Sequence, residues 1–454
     1  LMLSVDELFV KKFNNLLISH LNLTVKRGQI LEISGVNGSG KTSLIKVLAG
    51  ISQQLKGKHN GEKFERYFIP SAGGFRDELK PTEIIQHLTD CDKKGAENRL
   101  KEVGLAAVLD IQSGDLSDGQ KKRILLASLS KSSNGILFAD EPFNSLDDTG
   151  KKLFLSIVQN FLSNDGIVVI ATHIPLKELL MVHDVDISLE SCCSRLSLNG
   201  NSKHSMNLLT EKNITDDSNQ LSFKSEIPSL FDYFKQLISF VKRELSLLYK
   251  KLSDVTLPLV FLWMLITILP FGVGQDPDIL RNIASGAIWF GTVIVMIFAT
   301  IRIFELDFNS GAIEQLIVRN KSIPIYCLTK SFTNWLFLGL TISVVSIPLG
   351  IIYDLGADAV FALFCSLVIG TLAISNILTI LAALGLMARQ AQVLVGILAF
   401  PLIVPLIVFG SAIVETSFTG TNPFNLYSVL LGVSLLTTLI LPAICTNLIK
   451  FALD

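Results

Sequence analysis

The chain has 454 residues, of which 49% are hydrophobic, and its formal net charge is −1. This length predicts two or three domains, and a mean hydropathy of +0.50 is too high for a pair of ordinary soluble domains. The near-zero charge argues against bulk electrostatic binding, so no nucleic acid is expected as a partner. Charged residues are dense up to about residue 254 and sparse beyond it, which predicts a polar half followed by a membrane half.

The first residues lack a basic region followed by an apolar one. No secretory signal is therefore predicted, and residues 1–200 are expected to stay in the cytosol. The six cysteines show no C-x-x-C pair and no zinc-binding spacing, so reduced thiols without a structural role are expected.

The first motif is GVNGSGKT (35–42), between an apolar strand pattern and an amphipathic helix that is expected to follow from Ser43. It fits the phosphate-binding pattern G-x-x-x-x-G-K-[ST]. The glycines let backbone N–H groups turn toward phosphate, and the helix N-terminus adds partial positive charge. Lys41 is expected to reach the β/γ-phosphates of ATP, and Thr42 to enter a Mg²⁺ shell. The expected nucleotide-binding residues here are Gly35, Val36, Asn37, Gly38, Ser39, Gly40, Lys41, Thr42 and Ser43.

Two carboxylates end the apolar strand pattern of GILFADEPFNSLD (135–147). Asp140 is expected to hold Mg²⁺ through water and Glu141 to polarise the attacking water, because phosphoryl transfer depends chiefly on positioning and charge stabilisation. A further buried strand pattern, GIVVIATH (166–173), ends at His173. Ligands bind at this edge of a parallel sheet, so a γ-phosphate contact is favoured for His173 over a solvated loop position.

The stretch LSDGQKKRILLASL (116–129) predicts a helix whose start offers a hydroxyl and a free backbone N–H to an anion. It resembles the signature motif of ABC-type ATPases, usually L-S-G-G-Q, and with the other motifs the resemblance covers residues 1 to about 200. The resemblance implies an α/β P-loop NTPase domain that works as a homodimer, with ATP held between the P-loop of one copy and the signature segment of the other. The further nucleotide-binding residues it implies are Ser117, Gly119, Gln120 and Asp147, the last against the opposing P-loop.

Three positions depart from the family pattern or leave a choice open. Asp118 replaces a glycine, so like-charge repulsion of the γ-phosphate is expected to weaken closure unless the side chain points to solvent. The loop FIPSAGGFRDELKPTE (68–83) has Ala72 where the family carries a glutamine that senses Mg²⁺ and meets the membrane partner. Phe13 either stacks on adenine or belongs to the core.

The second half contains six uncharged apolar runs, each long enough to cross a bilayer as a helix. A charge at the centre of such a helix costs roughly 3 kcal/mol, and none of the runs contains one. An all-α transmembrane domain of six helices is therefore predicted. The runs are 255–275, 282–301, 331–353, 359–388, 390–414 and 426–449.

Six crossings with a cytosolic start leave only Arg281 outside among the lysines and arginines near the spans, as the positive-inside rule requires. Segment 229–251 is predicted to be an amphipathic helix on membrane lipid at the inner leaflet. The polar stretch before it, rich in Ser and Asn, is typical of a linker. The predicted domains are 1–198 (ATP-binding), 199–228 (linker) and 229–454 (transmembrane).

The stretch ELDFNSGAIEQLIVRN (305–320) is charged, yet it lies between the second and third predicted spans on the cytosolic side. A short amphipathic helix capped by Asn309 or Ser310 is predicted. Its face of Ile313, Leu316 and Ile317 is expected to dock into a groove of the ATPase and carry nucleotide-driven motion to the membrane. The alternative is a helix that lies on lipid.

The membrane half adds a narrower resemblance. LPLVFLWMLITILPFGVGQDP (257–277), GAIEQLIV (311–318) and KSFTNWLFLGLTISVVSIPLG (330–350) resemble the B-type membrane component of the cytochrome c maturation (Ccm) haem exporter, an ABC transporter. ISGVNGSGKTSLIKVLAG and DEPFNSLD resemble its A-type ATP-binding component. The resemblance implies a fusion of the two components in a bacterial cytoplasmic (inner) membrane, with the ATPase in the cytosol.

The same resemblance implies further partners: a periplasmic haem chaperone, and other membrane proteins of the maturation complex, one of which handles haem. ATP hydrolysis would drive either haem export or release of the haem-loaded chaperone. All six histidines lie before residue 205, so no histidine of the membrane half can ligate haem iron. Two alternatives are an ABC exporter of a lipid, glycan or other hydrophobic substrate, and an ATPase that remodels a membrane partner without transport.

Overall fold

The computed structural model describes residues 2–12, 15–53, 56–59, 64–130, 135–173, 176, 193–198, 230–250, 253–274, 276–388 and 391–453. Phe13 and the predicted linker lie outside the described residues. The chain divides into two compact units. The first comprises Leu1–Ser229, Asp307–Lys321 and Leu453–Asp454, and the second Leu230–Leu306 and Ser322–Ala452. The predicted domain boundaries stay predictions, but a segment from the membrane half of the sequence belongs to the ATPase unit.

The first unit contains a parallel five-stranded sheet of order β5-β6-β7-β3-β8 and an antiparallel sheet of order β2-β1-β4. The strands that the structure describes are β1 (Met2–Lys12), β2 (Asn15–Lys26), β3 (Ile30–Gly35), β4 (Lys56–His59), β5 (Arg66–Ile69), β6 (Ile136–Asp140), β7 (Ile167–Ala171) and β8 (Cys193–Leu198). Alternate residues of β6 enter two different hydrophobic clusters, for example Phe138 one and Leu137 the other. Both faces of the parallel sheet are therefore covered, as its unbroken apolar strands require.

Within Leu1–Ser229 of this unit, the structure describes five α-helices. They are α1 (Lys41–Leu48), α2 (Pro81–Thr89), α3 (Lys93–Glu102), α4 (Asp118–Leu129) and α5 (Asp148–Ser163). The predicted order of strand, loop and helix around the first motif is confirmed, although α1 begins at Lys41, two residues before the predicted start. The fold class, an ABC-type α/β ATPase, is likewise confirmed.

The membrane half of the sequence is helical through most of its described residues. Its helices are α6 (Leu230–Lys250), α7 (Ser253–Val273), α8 (Pro277–Thr300), α9 (Glu305–Asn309), α10 (Ala312–Val318), α11 (Ile323–Asn334), α12 (Leu340–Ile352), α13 (Ala357–Gly385), α14 (Ala391–Thr419) and α15 (Phe424–Leu453). A π-helical turn, Trp335–Gly339, joins α11 to α12. Within the described ranges, six helical stretches are long and apolar enough to cross a membrane, which agrees with the six predicted spans.

The membrane unit packs around Trp289 of α8, a side chain with no solvent exposure. Small residues on two neighbouring helices make room for the indole ring. A Cβ atom built on Gly370 of α13 or on Gly410 of α14 would overlap the ring. The three helices therefore meet closely only because both positions are glycine.

Candidate functional site: an ABC-type nucleotide site and its docking segment

The P-loop turns at Gly38 and Gly40, whose φ angles of 84° and 97° lie in the left-handed region. Gly40 is also the N-cap of α1 and has no side chain to cap the helix. The N–H groups of the first turn of α1 are therefore left for an external acceptor, which is the arrangement that binds phosphate. Val36, Asn37 and Gly38 at the tip of the loop are exposed to solvent.

Lys41 folds back into its own loop. Its Nζ donates to Gly35 O at 2.7 Å and to Val36 O at 3.3 Å, and the residue is only 6% exposed. The same Nζ lies 4.0 Å from Oε1 of Glu141. The cation of the first motif and the carboxylate of the second thus meet at one place.

Thr42 and Asp140 form the candidate metal position. Thr42 Oγ1 donates to Asp140 Oδ2 at 3.0 Å, while Asp140 Oδ1 is buried with no hydrogen-bond partner among the described residues. Leaving such an atom unsatisfied costs about 1–3 kcal/mol. Burial raises the pKa of Asp140, and the hydrogen bond from Thr42 opposes that rise. A hydroxyl and a carboxylate that keeps one buried oxygen unused are a donor set that suits Mg²⁺.

Glu141 and His173 come together as a pair. His173 Nδ1 lies 2.7 Å from Glu141 Oε2, and Glu141 N donates to Ala171 O at the end of β7. Glu141 has a φ of 45°, which is left-handed for a residue with a side chain. The structure therefore places His173 next to the predicted catalytic carboxylate, and its predicted phosphate contact stays a prediction.

The signature segment begins α4 as predicted. Ser117 is the N-cap: Gln120 N donates to Ser117 Oγ at 3.3 Å, and Ser117 N donates to Gln120 Oε1 at 3.0 Å. Ser117 and Asp118 are exposed in the single chain, and the predicted repulsion between Asp118 and a γ-phosphate stays a prediction. Gly119 faces the turn after β6, where an added Cβ would lie 2.6 Å from Ser145 O.

Two basic residues of α4 that the motif analysis missed hold the same turn, and Lys122 is the first of them. Its Nζ donates to Glu141 O at 2.6 Å and to Asn144 O at 2.9 Å. Burial lowers the pKa of Lys122 to about 8, and the negative charges of Asp140 and Glu141 limit that fall. The sequence pattern of α4 gave no signal for this burial, because a lysine on a helix is expected to be exposed.

Arg123 is the second of these residues. Its Nη2 lies 2.5 Å from both carboxylate oxygens of Asp147 and donates to Thr149 Oγ1 at 2.8 Å. Asp147 caps α5 by accepting from Gly150 N. Hydrogen bonds from Thr149 and Arg123 hold the pKa of Asp147 well below its usual range. In this conformation Asp147 is engaged within its own chain, and its predicted contact with an opposing P-loop stays a prediction.

The loop that lacks the expected glutamine contacts the membrane half of the sequence through its backbone. Ala72 is exposed, and two residues later Gly74 N donates to Ser310 O at 2.6 Å. A Cβ on Gly73 would lie 2.6 Å from the same oxygen, so the approach requires glycine there as well. A main-chain hydrogen bond thus joins this loop to Ser310.

Residues Asp307–Lys321 form what is called here the docking segment, and they belong to the ATPase unit. The predicted helix exists as α10, but its N-cap is Gly311, with φ 73°, so the capping prediction for Asn309 and Ser310 is wrong. Glycine adopts the left-handed turn between α9 and α10 without strain, which a capping side chain would not do.

The buried face of α10 also differs from the predicted one. Its buried residues are Ala312, Ile313, Gln315 and Val318, whereas Leu316 and Ile317 are half-buried. Gln315 Nε2 donates to Phe68 O of β5 at 2.8 Å, so a polar side chain provides the centre of the contact. Val318 joins the hydrophobic cluster that contains Phe68. Docking itself is confirmed, and Ile313 is buried as predicted, but apolar periodicity missed Gln315 because it does not report a buried polar side chain.

Charge pairs surround this contact. Lys46 of α1 pairs with Glu314 at 2.7 Å, Arg76 with Asp307 at 3.3 Å, and Lys321 with Asp90. Lys46 lies on the helix that begins at the P-loop. The docking segment is therefore bonded directly to the element that is expected to receive phosphate.

Arg319 bonds the docking segment to two further helices. Its Nη1 donates to Leu88 O of α2 at 2.5 Å and its Nη2 to Ser128 Oγ of α4 at 2.9 Å. Burial lowers the pKa of the guanidinium to about 10, so it remains charged at neutral pH. Because α4 starts with the signature motif, Arg319 links the docking segment to the second nucleotide-binding element.

Comparison with known proteins agrees with this division of the chain. Residues 18–144 match the family model of the ABC transporter, and residues 235–451 match that of the CcmB protein. The chain is 32% identical over 199 residues to the cytochrome c biogenesis ATP-binding export protein CcmA of Histophilus somni, covering 40% of this chain and 91% of that protein. It is 31% identical over 196 residues to heme exporter protein B of Haemophilus influenzae, covering 43% of this chain and 88% of that protein. This chain belongs to the Ccm haem exporter family.

A third relative, heme exporter protein B of Rhodobacter capsulatus, is 30% identical over 204 residues, which cover 45% of this chain and 94% of that protein. The Ccm exporter chain described here therefore joins a CcmA-like ATPase to a CcmB-like membrane protein. It is a multi-pass membrane protein, it binds ATP through its ABC domain, and it couples ATP hydrolysis to transport.

Proposed function

We propose that paired copies of this chain use ATP to drive the haem step of cytochrome c maturation. That step is either export of haem or release of the haem-loaded periplasmic chaperone. The observation that carries the proposal is the docking segment: a stretch between two membrane-spanning helices is hydrogen-bonded into the ATPase unit at α1, α2, α4 and β5. Haem is proposed as the substrate because the relatives are named for heme export and cytochrome c biogenesis. The ATP-driven role is proposed from the geometry of the nucleotide site and the docking segment.

The proposed roles at the nucleotide follow from the positions of the side chains. Lys41 and the N–H groups at the start of α1 bind the phosphates of ATP, and Thr42 with Asp140 holds Mg²⁺, which neutralises phosphate charge. Glu141 orients the attacking water, and His173, at 2.7 Å from Glu141, orients that carboxylate and contacts the γ-phosphate. Ser117, Gly119 and Gln120 act on the ATP of the partner copy in a homodimer.

Closure of such a dimer would move α4 relative to α1, and the docking segment touches both helices. We expect the segment to move with them as one body, because Arg319 and Glu314 hold it by charge-assisted bonds. The spanning helices on either side of the segment would then be displaced. The ATPase half lies in the cytosol in this proposal, and the helices lie in the bacterial inner membrane, in contact with lipid at α6.

The partner that coordinates haem is proposed to be another membrane protein of the maturation complex. The membrane half of this chain has no histidine, the commonest axial ligand. Packing encloses Tyr326, Tyr353 and Met296, at 0%, 2% and 0% exposure, so these three side chains are part of the core. Purified chain that retained stoichiometric haem with a spectrum of protein-ligated iron would contradict this division of labour.

The test of the proposed function is Glu141→Gln in cells that depend on this chain. Removing a positioned proton acceptor lowers turnover by about 10²–10⁴-fold, so we expect ATP hydrolysis to fall to a small residual rate, covalent haem in c-type cytochromes to disappear and the haem-bearing chaperone to accumulate. Glu102→Gln, an exposed position on α3, is the matched control and is expected to leave all three unchanged. Normal cytochrome c levels in the Glu141→Gln strain would overturn the proposal, and a defect in a lipid or glycan instead would favour the alternative cargo.

A further inference from the structure

The turn that follows β6 has an unusual backbone. Glu141 and Ser145 have φ angles of 45° and 64°, so two residues with side chains adopt the left-handed region within five positions. Each such residue costs of order 1–3 kcal/mol and persists only where its surroundings hold it. Because Glu141 carries the carboxylate next to His173, whatever holds this turn also sets the position of that carboxylate.

One face of α4 holds the turn at successive points. Gly119, Lys122 and Arg123, at helical positions i, i+3 and i+4, lie on the same face of α4. Gly119 packs against Ser145 O, Lys122 bonds the carbonyls of Glu141 and Asn144, and Arg123 bonds Asp147. The contact is therefore continuous from the catalytic carboxylate to the start of α5.

Lys122 holds the strained residue itself. Its side chain is 6% exposed, and its ammonium group donates to two carbonyl oxygens three residues apart, at 2.6 and 2.9 Å. A buried ammonium is retained only where acceptors replace its water, and these two carbonyls do so. An ammonium group has three donors and can bond both oxygens at once, whereas a methionine side chain of the same length has none.

We propose that Lys122 is a positioning residue for Glu141: its ammonium fixes the backbone of the 141–145 turn so that the Glu141 carboxylate faces His173 and the P-loop lysine. Lys122 lies on the helix of the signature segment, whose proposed partner is the ATP of the other copy. Lys122 therefore connects the signature segment, which faces the ATP of the partner copy, to Glu141, which acts on the ATP bound by its own P-loop. This inference rests on the proposed role of Glu141 in hydrolysis.

The test measures steady-state ATP hydrolysis by the full chain in lipid nanodiscs with Lys122→Met, which keeps the length of the side chain and removes the donors. A displaced reacting group costs up to about 10²-fold, so we expect kcat to fall by about 10–100-fold while KM for ATP stays within about threefold. Lys122→Arg, which keeps a buried cation with several donors, is expected to recover most of the rate. Lys152→Met, at an exposed position of α5, is the matched control and should behave as the unmodified chain.

A double variant separates positioning from general support of the fold. If Lys122 acts through Glu141, adding Lys122→Met to Glu141→Gln should lower the residual rate by less than about threefold, because the carboxylate it positions is already gone. An unchanged kcat in Lys122→Met, or losses that multiply fully in the double variant, would overturn the inference. If Lys122→Met loses affinity for ATP and thermal stability along with its rate of hydrolysis, the result would also count against the inference. Lys122→Gln then repeats the test with a smaller change. Failure of Glu141→Gln to affect hydrolysis would instead reject the proposed function on which this inference rests.

Discussion

Buried polar side chains serve different purposes in the two units of this chain. In the ATPase unit they bond between elements that lie apart in sequence, as Thr42 does with Asp140 and Lys122 with Glu141. In the membrane unit many hydroxyls bond a carbonyl of their own helix, as Thr292 does with Ile288. A long-range polar contact fixes a geometry that chemistry can use, whereas a local one only satisfies a donor in an apolar surrounding.

Several buried side chains of the membrane unit depart from this contrast, among them Lys330, which pairs with Glu244 at 2.9 Å, and a polar cluster around Asn376. Asn376 of α13 accepts from Ser331 of α11 at 2.7 Å and donates to Thr437 and Thr438 of α15 at 3.2 and 2.8 Å. Of this cluster, Ser331 lies shortly before the π-helical turn that begins at Trp335. At this cluster the membrane unit is held by the same kind of bond as the ATPase site.

The largest effect is expected in the ATPase unit, where the buried ammonium group of Lys41 is proposed to bind ATP directly. Lys41→Ala removes the cation that lies 4.0 Å from Glu141 and bonds the P-loop carbonyls. We expect hydrolysis to fall by about 10³-fold or more, because positioning and charge stabilisation supply almost all of this catalysis. The measurement is ATP turnover in nanodiscs. An active Lys41→Ala chain would show that the P-loop geometry described here is not the site of hydrolysis.

An effect of intermediate size is expected in the membrane unit, where helix packing depends on a glycine that fits against the ring of Trp289. Gly410→Ala places a methyl group against the ring of Trp289, and overpacking of this kind costs about 1–3 kcal/mol. Gly396→Ala, on the same helix with nothing within 4 Å, is the matched control and should be neutral or slightly stabilising. Thermal unfolding of the two variants in nanodiscs checks this. Equal midpoints would show that α8, α13 and α14 do not pack as described.

The smallest effect is expected at the polar cluster of the membrane unit. Asn376→Leu removes the donor to Thr437 and Thr438, yet both hydroxyls keep bonds within α15. Hydrogen bonds between membrane helices contribute about 0.6 kcal/mol on average, so we expect a small fall in the unfolding midpoint and unchanged ATP hydrolysis. A collapse of the fold in this variant would erase the contrast between the two units.

The difference between local and long-range contacts also explains which features of the fold and the site could be predicted from the sequence. The P-loop, the carboxylates after β6 and His173 were all located from motifs, because a strand followed by a loop leaves little freedom for the residues between. The spans followed from apolar length alone. Lys122 and Arg123 were missed because their partners are backbone and side-chain atoms around twenty residues away, which no local pattern encodes.

In the docking segment, apolar periodicity predicted the helix but not all of its buried face. The position of the segment and its docking were predicted from its charged residues between two spans, and Ile313 was correctly expected on the buried face. The cap and the rest of that face were not predicted correctly. Gly311 takes the left-handed turn where a polar cap was predicted, and Gln315 is buried where Leu316 and Ile317 were expected. The reason is that this contact is made largely by hydrogen bonds and charge pairs, which apolar spacing cannot report.

The central claim is that the docking segment transmits ATP-driven motion, and Arg319→Met tests it most directly. The variant removes the bonds to Leu88 O and Ser128 while leaving the nucleotide site intact. Arg302→Met, an exposed position just before the segment, is the matched control. Covalent haem in c-type cytochromes and ATP hydrolysis are measured on the same strains.

We predict that Arg319→Met hydrolyses ATP within about threefold of the unmodified chain but matures c-type cytochromes about tenfold less, because losing a buried charge contact costs roughly 2–5 kcal/mol at the docking surface. The control should retain both activities. Full cytochrome maturation in an Arg319→Met chain that is folded and active would contradict the account.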